Sequence, residues 1–332
     1  MLWRIENYPE SSLPWALKAA AIGLVAACSL MAGAQRASAA AITLGTAANY
    51  GVVTGVGGSF VIGGGLKITG NVGLGSGYNV QISGANSESG TTYYDYTTGQ
   101  GSYTVNSGGS FTQGGSVEQS MTQVMSDAVA ATNAAAAATA TAGLVDQGGS
   151  INLNGSSVTI KALTNLSENV LDISALSLTN GTLTFDDNGY TSAKFIINVT
   201  GGFTAGAGAV IKGINGATAA DIIFNIEGTG STVSLTGNSS TAIIGTILAP
   251  QRNVTIGGGG SLTGALIAGV NSAGKSYTLT SNSTGFNITD YAYKPSTGGS
   301  SKTPEPSSIA LLSAGLAGLA AVRRRRARKT PQ

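Results

Sequence analysis

The chain has 332 residues, 50 glycines, few charges, no histidine and one cysteine, with a formal net charge of +2. Cys28, Trp3 and Trp15 all precede residue 40, so the rest lacks imidazole, thiol and indole; His- or Cys-based catalysis, disulfides and the usual Zn or Fe ligands are excluded there. Between residues 40 and 303, eight basic against twelve acidic side chains leave a net −4, so the basic excess sits at the ends and a nucleic-acid partner loses its electrostatic basis.

The apolar stretch Ala19–Ala34 follows Lys18 and leads to Ala37-Ser38-Ala39. That order reads as a secretory signal peptide over residues 1–39, with signal peptidase cutting between Ala39 and Ala40. Val25-Ala26-Ala27-Cys28 offers a lipoprotein box as the alternative, but the apolar run continues through Leu30 and Met31.

Residues 42–84 give short β runs, Gly51-Val52-Val53, Phe60-Val61-Ile62, Leu66-Lys67-Ile68 and Asn71-Val72-Gly73-Leu74, separated by glycine turns. Gly63-Gly64-Gly65 lacks the following helix and the Lys-Ser/Thr of a phosphate loop. Residues 85–115 are polar and carry Tyr93, Tyr94, Tyr96 and Tyr103. They read as an excursion or end cap over an open end of the fold; an aromatic surface for sugar or protein is the alternative.

Val117–Ala142 is expected to be one long helix, capped by Ser116 and Gln119 and stopped at Gly143. Val117, Met121, Val124, Met125, Ala128 and Val129 form its apolar stripe. At full length it would span ~39 Å, near the height of seven or eight coils at ~4.8 Å each. With no Lys or Arg, it does not suit a membrane surface.

Residues 151–293 carry the main repeat. Phe195-Ile196-Ile197-Asn198-Val199-Thr200-Gly201 returns as Ile222-Ile223-Phe224-Asn225-Ile226-Glu227-Gly228, with looser echoes from Ile243 and Leu266. A period in the twenties built of short apolar runs and glycine turns marks a solenoid, whose coils must stack to bury their apolar sides. Asn198 and Asn225 fall at equivalent places, with Thr246 following, and suggest a polar ladder at a coil corner.

A flexible linker over 294–303 leads to the tail, residues 304–332. Pro304-Glu305-Pro306 precedes sixteen uncharged residues and then Arg323, Arg324, Arg325 and Arg326. Motif, short apolar helix and basic stop together resemble the PEP-CTERM sorting signal of Gram-negative bacteria. The resemblance implies removal by an exosortase and delivery to the cell envelope or extracellular matrix. It also implies a transient inner-membrane anchor, so the membrane is met only through the terminal segments.

The body resembles two groups. Leu44-Gly45-Thr46-Ala47-Ala48-Asn49-Tyr50 and Ile68-Thr69-Gly70-Asn71-Val72-Gly73 look like the opening of the bacterial ice-binding β-solenoids. The Phe195 repeat, Gly245-Thr246-Ile247-Leu248-Ala249-Pro250 and Gly264-Ala265-Leu266-Ile267-Ala268-Gly269 look like choice-of-anchor A surface proteins. Both imply a mainly β fold: a right-handed, roughly triangular parallel β-solenoid over residues 40–293 with one long helix alongside. A short apolar helix is expected at each terminus.

Five triplets place a leucine between hydroxyls: Ser177-Leu178-Thr179, Thr182-Leu183-Thr184, Ser234-Leu235-Thr236, Ser261-Leu262-Thr263 and Thr278-Leu279-Thr280. Strand alternation turns each Leu inward and its neighbours outward, which makes Thr184, Thr236, Thr263 and Thr280 candidates for a binding face. Asp172, Asp186, Asp187, Asp221 and Glu227 are the candidate acids, and Arg252 reads as a surface residue. The sequence points to a non-catalytic structural or adhesive protein without cofactor or metal, with extracellular polysaccharide or ice as possible partners. Ice binding through an outward Ser/Thr face is the competing reading.

Overall fold

The computed structural model describes residues 42–295 apart from 98–100, 107, 146, 164–167, 191–192, 271–277 and 282–284, and excepting the side chains of Thr278–Ser281. The processing residues Ala39, Ala40, Pro304, Glu305, Pro306 and Arg323–Arg326, and the apolar helix expected at each terminus, lie outside the described residues.

The first ten strands are β1 (Val52–Thr54), β2 (Ser59–Ile62), β3 (Lys67–Thr69), β4 (Val72–Leu74), β5 (Asn79–Ile82), β6 (Ala85–Glu88), β7 (Thr91–Tyr94), β8 (Ser102–Val105), β9 (Ser110–Thr112) and β10 (Gly115–Glu118). Helix α1 (Thr122–Ala137) follows. Then come β11 (Ser150–Asn154), β12 (Ser157–Lys161), β13 (Glu168–Ile173), β14 (Ala175–Thr179), β15 (Thr182–Asp186), β16 (Lys194–Val199), β17 (Phe203–Ala205), β18 (Val210–Ile214) and β19 (Ile222–Ile226). The last are β20 (Val233–Gly237), β21 (Ala242–Ile244), β22 (Thr246–Ala249), β23 (Val254–Gly258), β24 (Gly260–Gly264), β25 (Leu266–Ala268), β26 (Thr278–Ser281) and β27 (Phe286–Asp290).

Three successive strands make one coil, and each contributes to a different nine-stranded sheet. Sheet A runs β10-β7-β4-β1-β25-β22-β19-β16-β13, sheet B runs β11-β14-β17-β20-β23-β26-β2-β5-β8, and sheet C runs β12-β15-β18-β21-β24-β27-β3-β6-β9. Neighbours pair in parallel, with registers such as Phe195↔Ile222 and Leu178↔Ala205. The stack does not follow chain order. β1–β3 start inside it, the chain climbs to β10, and α1 carries it back so that β11 restarts at the far end. The final coil then closes on the first, Val53 opposite Ile267 and Ile68 opposite Ile288.

Alternation explains sheets B and C: in β11, Ile151 and Leu153 are buried while Ser150, Asn152 and Asn154 are exposed. Sheet A differs because α1 covers its outer side, so all six residues of β16 and all five of β19 are buried. Strands buried on both faces read as unbroken apolar runs, which is why the Phe195 repeat stands out. Inside, Phe185, Phe195, Phe203 and Phe224 pack ring against ring at 5.0–5.9 Å.

Helix α1 is shorter than its sequence suggests. Residues 115–118 pair instead with β7, placing Ser116 opposite Thr92, so no Ser116 capping box forms and Val117 is exposed. The entry is fixed by Asp95, whose Oδ2 accepts the Met121 N–H at 2.8 Å. The exit comes at Ala137, six residues before Gly143, because the chain leaves to meet β13: Thr141 N donates to Val170 O at 2.9 Å. Met121, Val124, Met125, Ala128, Ala131 and Ala135 are its buried stripe. At ~1.5 Å per residue α1 spans roughly 24 Å, about two thirds of a nine-rung stack.

The tyrosine-bearing stretch is not an excursion. It supplies β6 to β9, regular rungs at one end of the stack, where Tyr78, Tyr94 and Tyr96 cluster with ring centroids 5.3–6.4 Å apart.

Candidate functional site

Sheet B is the face that stands apart chemically. None of its nine strands contains Asp, Glu, Lys or Arg, whereas sheet A holds Glu118, Glu168, Asp172 and Lys194. Sheet C holds Lys67, Glu88, Lys161, Asp186, Lys212 and Asp290. The inward residues of sheet B are large and apolar, Leu176, Leu178, Phe203, Val233, Leu235, Val254 and Ile256 all being buried. The alternate positions must then face out.

Those outward positions stack in register. Asn152 lies opposite Ser177, Ser177 opposite Thr204, Thr204 opposite Ser234, and Ser234 opposite Thr255. The column continues through Thr280, Val61, Gln81 and Thr104. Five successive rungs therefore carry a hydroxyl residue, repeating at the strand spacing of ~4.8 Å. Ser177, Thr204, Ser234 and Thr255 are each half-buried. Flanking columns are polar but less regular, with Asn154 and Thr179 aligned and Thr236 opposite Gly257.

The four threonines singled out from the sequence do not share one face. Thr236 and Thr280 belong to sheet B; Thr184 and Thr263 belong to sheet C. Thr236 is exposed, Thr263 is half-buried and Thr184 is buried. Each coil has three sides, and a Ser-Leu-Thr triplet does not say which side it occupies. Thr204 and Thr255 escape the triplet pattern because their neighbours are Phe203-Ala205 and Val254-Ile256.

The asparagine ladder is present, but on the flat of sheet A beneath α1 rather than at a corner. Asn225 Nδ2 donates to Asn198 Oδ1, and Asn198 Nδ2 to Asp172 Oδ1, both at 2.9 Å. The same amides reach helix carbonyls, Asn198 to Ala135 O at 2.8 Å and Asn225 to Thr132 O at 3.3 Å. Thr246 stands apart, accepting the Tyr293 N–H at 2.8 Å.

The candidate acids also have structural partners. Asp186 accepts from Asn215 Nδ2 and Asn188 N, each at 2.8 Å, and these bonds hold its carboxyl below the usual range. Asp221 pairs with Lys194 and caps a short 3-10 turn through Thr218. Burial, then the charge of Asp221, pushes Asp187 up to about 6. Burial and then Asp172 raise Glu227. Among the described residues, no group of three or more Asp, Glu, His or Cys could hold a metal ion.

Arg252 is not a surface residue. It is 2% exposed, and its guanidinium donates to the carbonyls of Thr200, Glu227 and Ser231. One side chain thereby ties together the corners that follow β16 and β19.

Residues 35–279 match a family described as an ice-binding-like adhesive domain. The chain belongs to that family. A second match, over residues 302–326, is the PEP-CTERM protein-sorting motif, so this ice-binding-like adhesive protein is sorted by an exosortase to the cell surface. No curated protein matches it. Among solved structures it is similar to an ice-binding protein from an Antarctic biological consortium, at 22% identity and a TM-score of 0.48, covering 75% of this chain and 91% of that one. A glycosylated ice-binding protein from an Arctic yeast is 14% identical with a TM-score of 0.48, covering 80% and 99%. An ice-binding protein domain of Shewanella frigidimarina is 19% identical with a TM-score of 0.45, covering 75% and 97%.

Proposed function

We propose that the mature chain is a non-catalytic adhesion module of the envelope or extracellular matrix of a Gram-negative bacterium, with sheet B as its contact face. In this reading signal peptidase removes the leader, the C-terminal helix holds the chain briefly in the inner membrane, and an exosortase releases it. The observation that supports the reading is the charge-free sheet B, whose outward column carries a hydroxyl or amide residue on eight of nine rungs, Val61 being the exception. Such a surface offers many weak hydrogen bonds in fixed register and no group poised for acid–base chemistry.

Cells displaying the full chain should attach to polysaccharide-coated surfaces, and the double substitution Ser177→Lys, Ser234→Lys should remove most of the gain. If cells displaying the intact protein and cells lacking it attach equally, the reading fails. The regular hydroxyl column also supports a second reading, ice binding, because a lattice is matched by groups in register. Thermal hysteresis and recrystallisation assays decide it: inactivity at high micromolar concentration removes ice as the ligand.

A further inference from the structure

A cleft of about 550 Å³ opens on the outer side of sheet A beside the entry to α1, lined among others by Asn49, Tyr50, Asn71, Tyr93, Gln119 and Asp290. Its volume lies within the roughly 300–1,000 Å³ typical of small-molecule sites. In the outward column Val53, Gly73, Tyr93 beside it, the middle residue is a glycine. A Cβ on Gly73 would fall 2.2 Å from Met121 Cε and 3.2 Å from the Tyr50 ring. The missing side chain lets Tyr50 pack against the sheet and meet Tyr93 edge-on, centroids 5.4 Å apart at 77°.

The polar lining is held in place but keeps free capacity. Asn71 is fixed at both ends, donating to Asn49 O and accepting from Thr91 N, each at 3.0 Å. Asp290 ends β27, where a Cβ on Gly51 or Gly70 would press on its side chain. Burial raises its carboxyl, against a hydrogen bond from the Ala292 N–H. Asn49 and Gln119 present their side chains at the rim and are exposed. No Lys or Arg is among the lining residues.

Aromatic edge, planar amides and a carboxylate, with no cation, suit a polyhydroxylated ring. The vicinal hydroxyls of a hexose can use the paired donor and acceptor atoms of Asn, Gln and Asp, with the half-buried Tyr93 ring bounding one side. An anionic sugar would meet Asp290 uncompensated. We propose that this cleft binds the terminal hexose of an uncharged or amine-bearing glycan and rejects uronates. The proposal names a ligand for the adhesion module, and so rests on that reading, but it uses sheet A rather than sheet B.

The test is binding of the full chain, in detergent micelles, to an array of neutral, amine-bearing and uronate oligosaccharides, followed by titration calorimetry with maltotriose, a glucosamine trimer and trigalacturonate. Neutral or amine-bearing sugars should bind and trigalacturonate should not. Tyr93→Ala should weaken binding roughly tenfold by loss of the ring. Asp290→Asn should weaken it by a similar factor, roughly tenfold, through loss of the charged acceptor. Gln119→Ala, at an exposed position, provides a variant that leaves the fold alone and should still lower affinity. The Ser177→Lys, Ser234→Lys protein should bind like the wild type. The proposal is overturned if no neutral or amine-bearing glycan binds, if uronates bind best, or if Tyr93→Ala and Gln119→Ala bind unchanged. Cell attachment that persists without glycan binding sinks the cleft alone; glycan binding without any contribution to attachment sinks the adhesion reading alone.

Discussion

Asn198 stands between Asp172 and Asn225, accepting from one amide while its own reaches a carboxylate and the α1 carbonyl of Ala135. Buried groups that lose a partner cost more than the bond was worth, because desolvation is then uncompensated. Asn198→Ala should therefore destabilise by about 2–4 kcal/mol. Asn225→Leu leaves Asn198 Oδ1 without its donor but also removes an Oδ1 that has no partner, so it should cost less, about 1–2 kcal/mol. Chemical denaturation of the two variants checks the order; equal losses would contradict the ladder as described.

Among the carboxyls that burial raises, Glu88 and Asp187 are moved furthest and weigh most in the pH response above pH 4.5. Burial raises Glu88 from 4.5 to about 7, opposed by the Thr92 hydrogen bond and a backbone bond from Val72. Between those values the folded chain holds a proton that the unfolded chain has released, so stability falls as pH rises. The loss is complete above pH 7. Asp187, raised to about 6, acts in the same direction. The melting temperature should drop from pH 5 to pH 8, and Glu88→Gln should flatten the curve. A wild-type melting temperature that rises across this range refutes the assignment.

Arg252→Lys should behave as a severe substitution. An ammonium cannot span the three carbonyls that the guanidinium serves, and buried acceptors would be left unpaired. A loss of about 2–4 kcal/mol is expected. Urea unfolding measures it, and a loss below half a unit would show that the corner does not depend on the fork.

Gly55 marks the contact between the first and last coils. A Cβ there would come within 1.6 Å of Gly269 O, a backbone atom that cannot swing away. Gly55→Ala should part β1 from β25 and expose both edges, giving aggregated or protease-sensitive protein. Limited proteolysis of the secreted protein reads this directly; a wild-type digestion pattern would exclude the close approach.

Sheet A was the legible part of the sequence. Its strands are covered on both sides, so Phe195–Val199 and Ile222–Ile226 leave unbroken apolar runs with an asparagine at one register position. Sheets B and C leave only weak alternation, and the irregular loops between Ser177, Thr204, Ser234 and Thr255 hide that these stack. The helix was legible as alanine-rich chain, but its start was not: Val117 falls on the helical stripe, and pairing of Gly115–Glu118 with Thr91–Tyr94 overrides it. The cleft was out of reach, because Tyr50, Tyr93 and Asp290 meet only after distant rungs come together. The PEP-CTERM segment needed no fold at all, being a linear address.

The placement of β1–β3 inside the stack has a consequence for export. Strands made early keep a bare hydrogen-bonding edge until residues 266–290 arrive to cover it. Pairing across more than two hundred positions is slow, and an uncovered rim is adhesive toward other chains. The last covering strand ends at Asp290, a short step before the sorting segment that begins at residue 302. The strands that close the stack and the sorting segment thus lie close together near the end of the chain, and a polypeptide cut short before residue 266 lacks both.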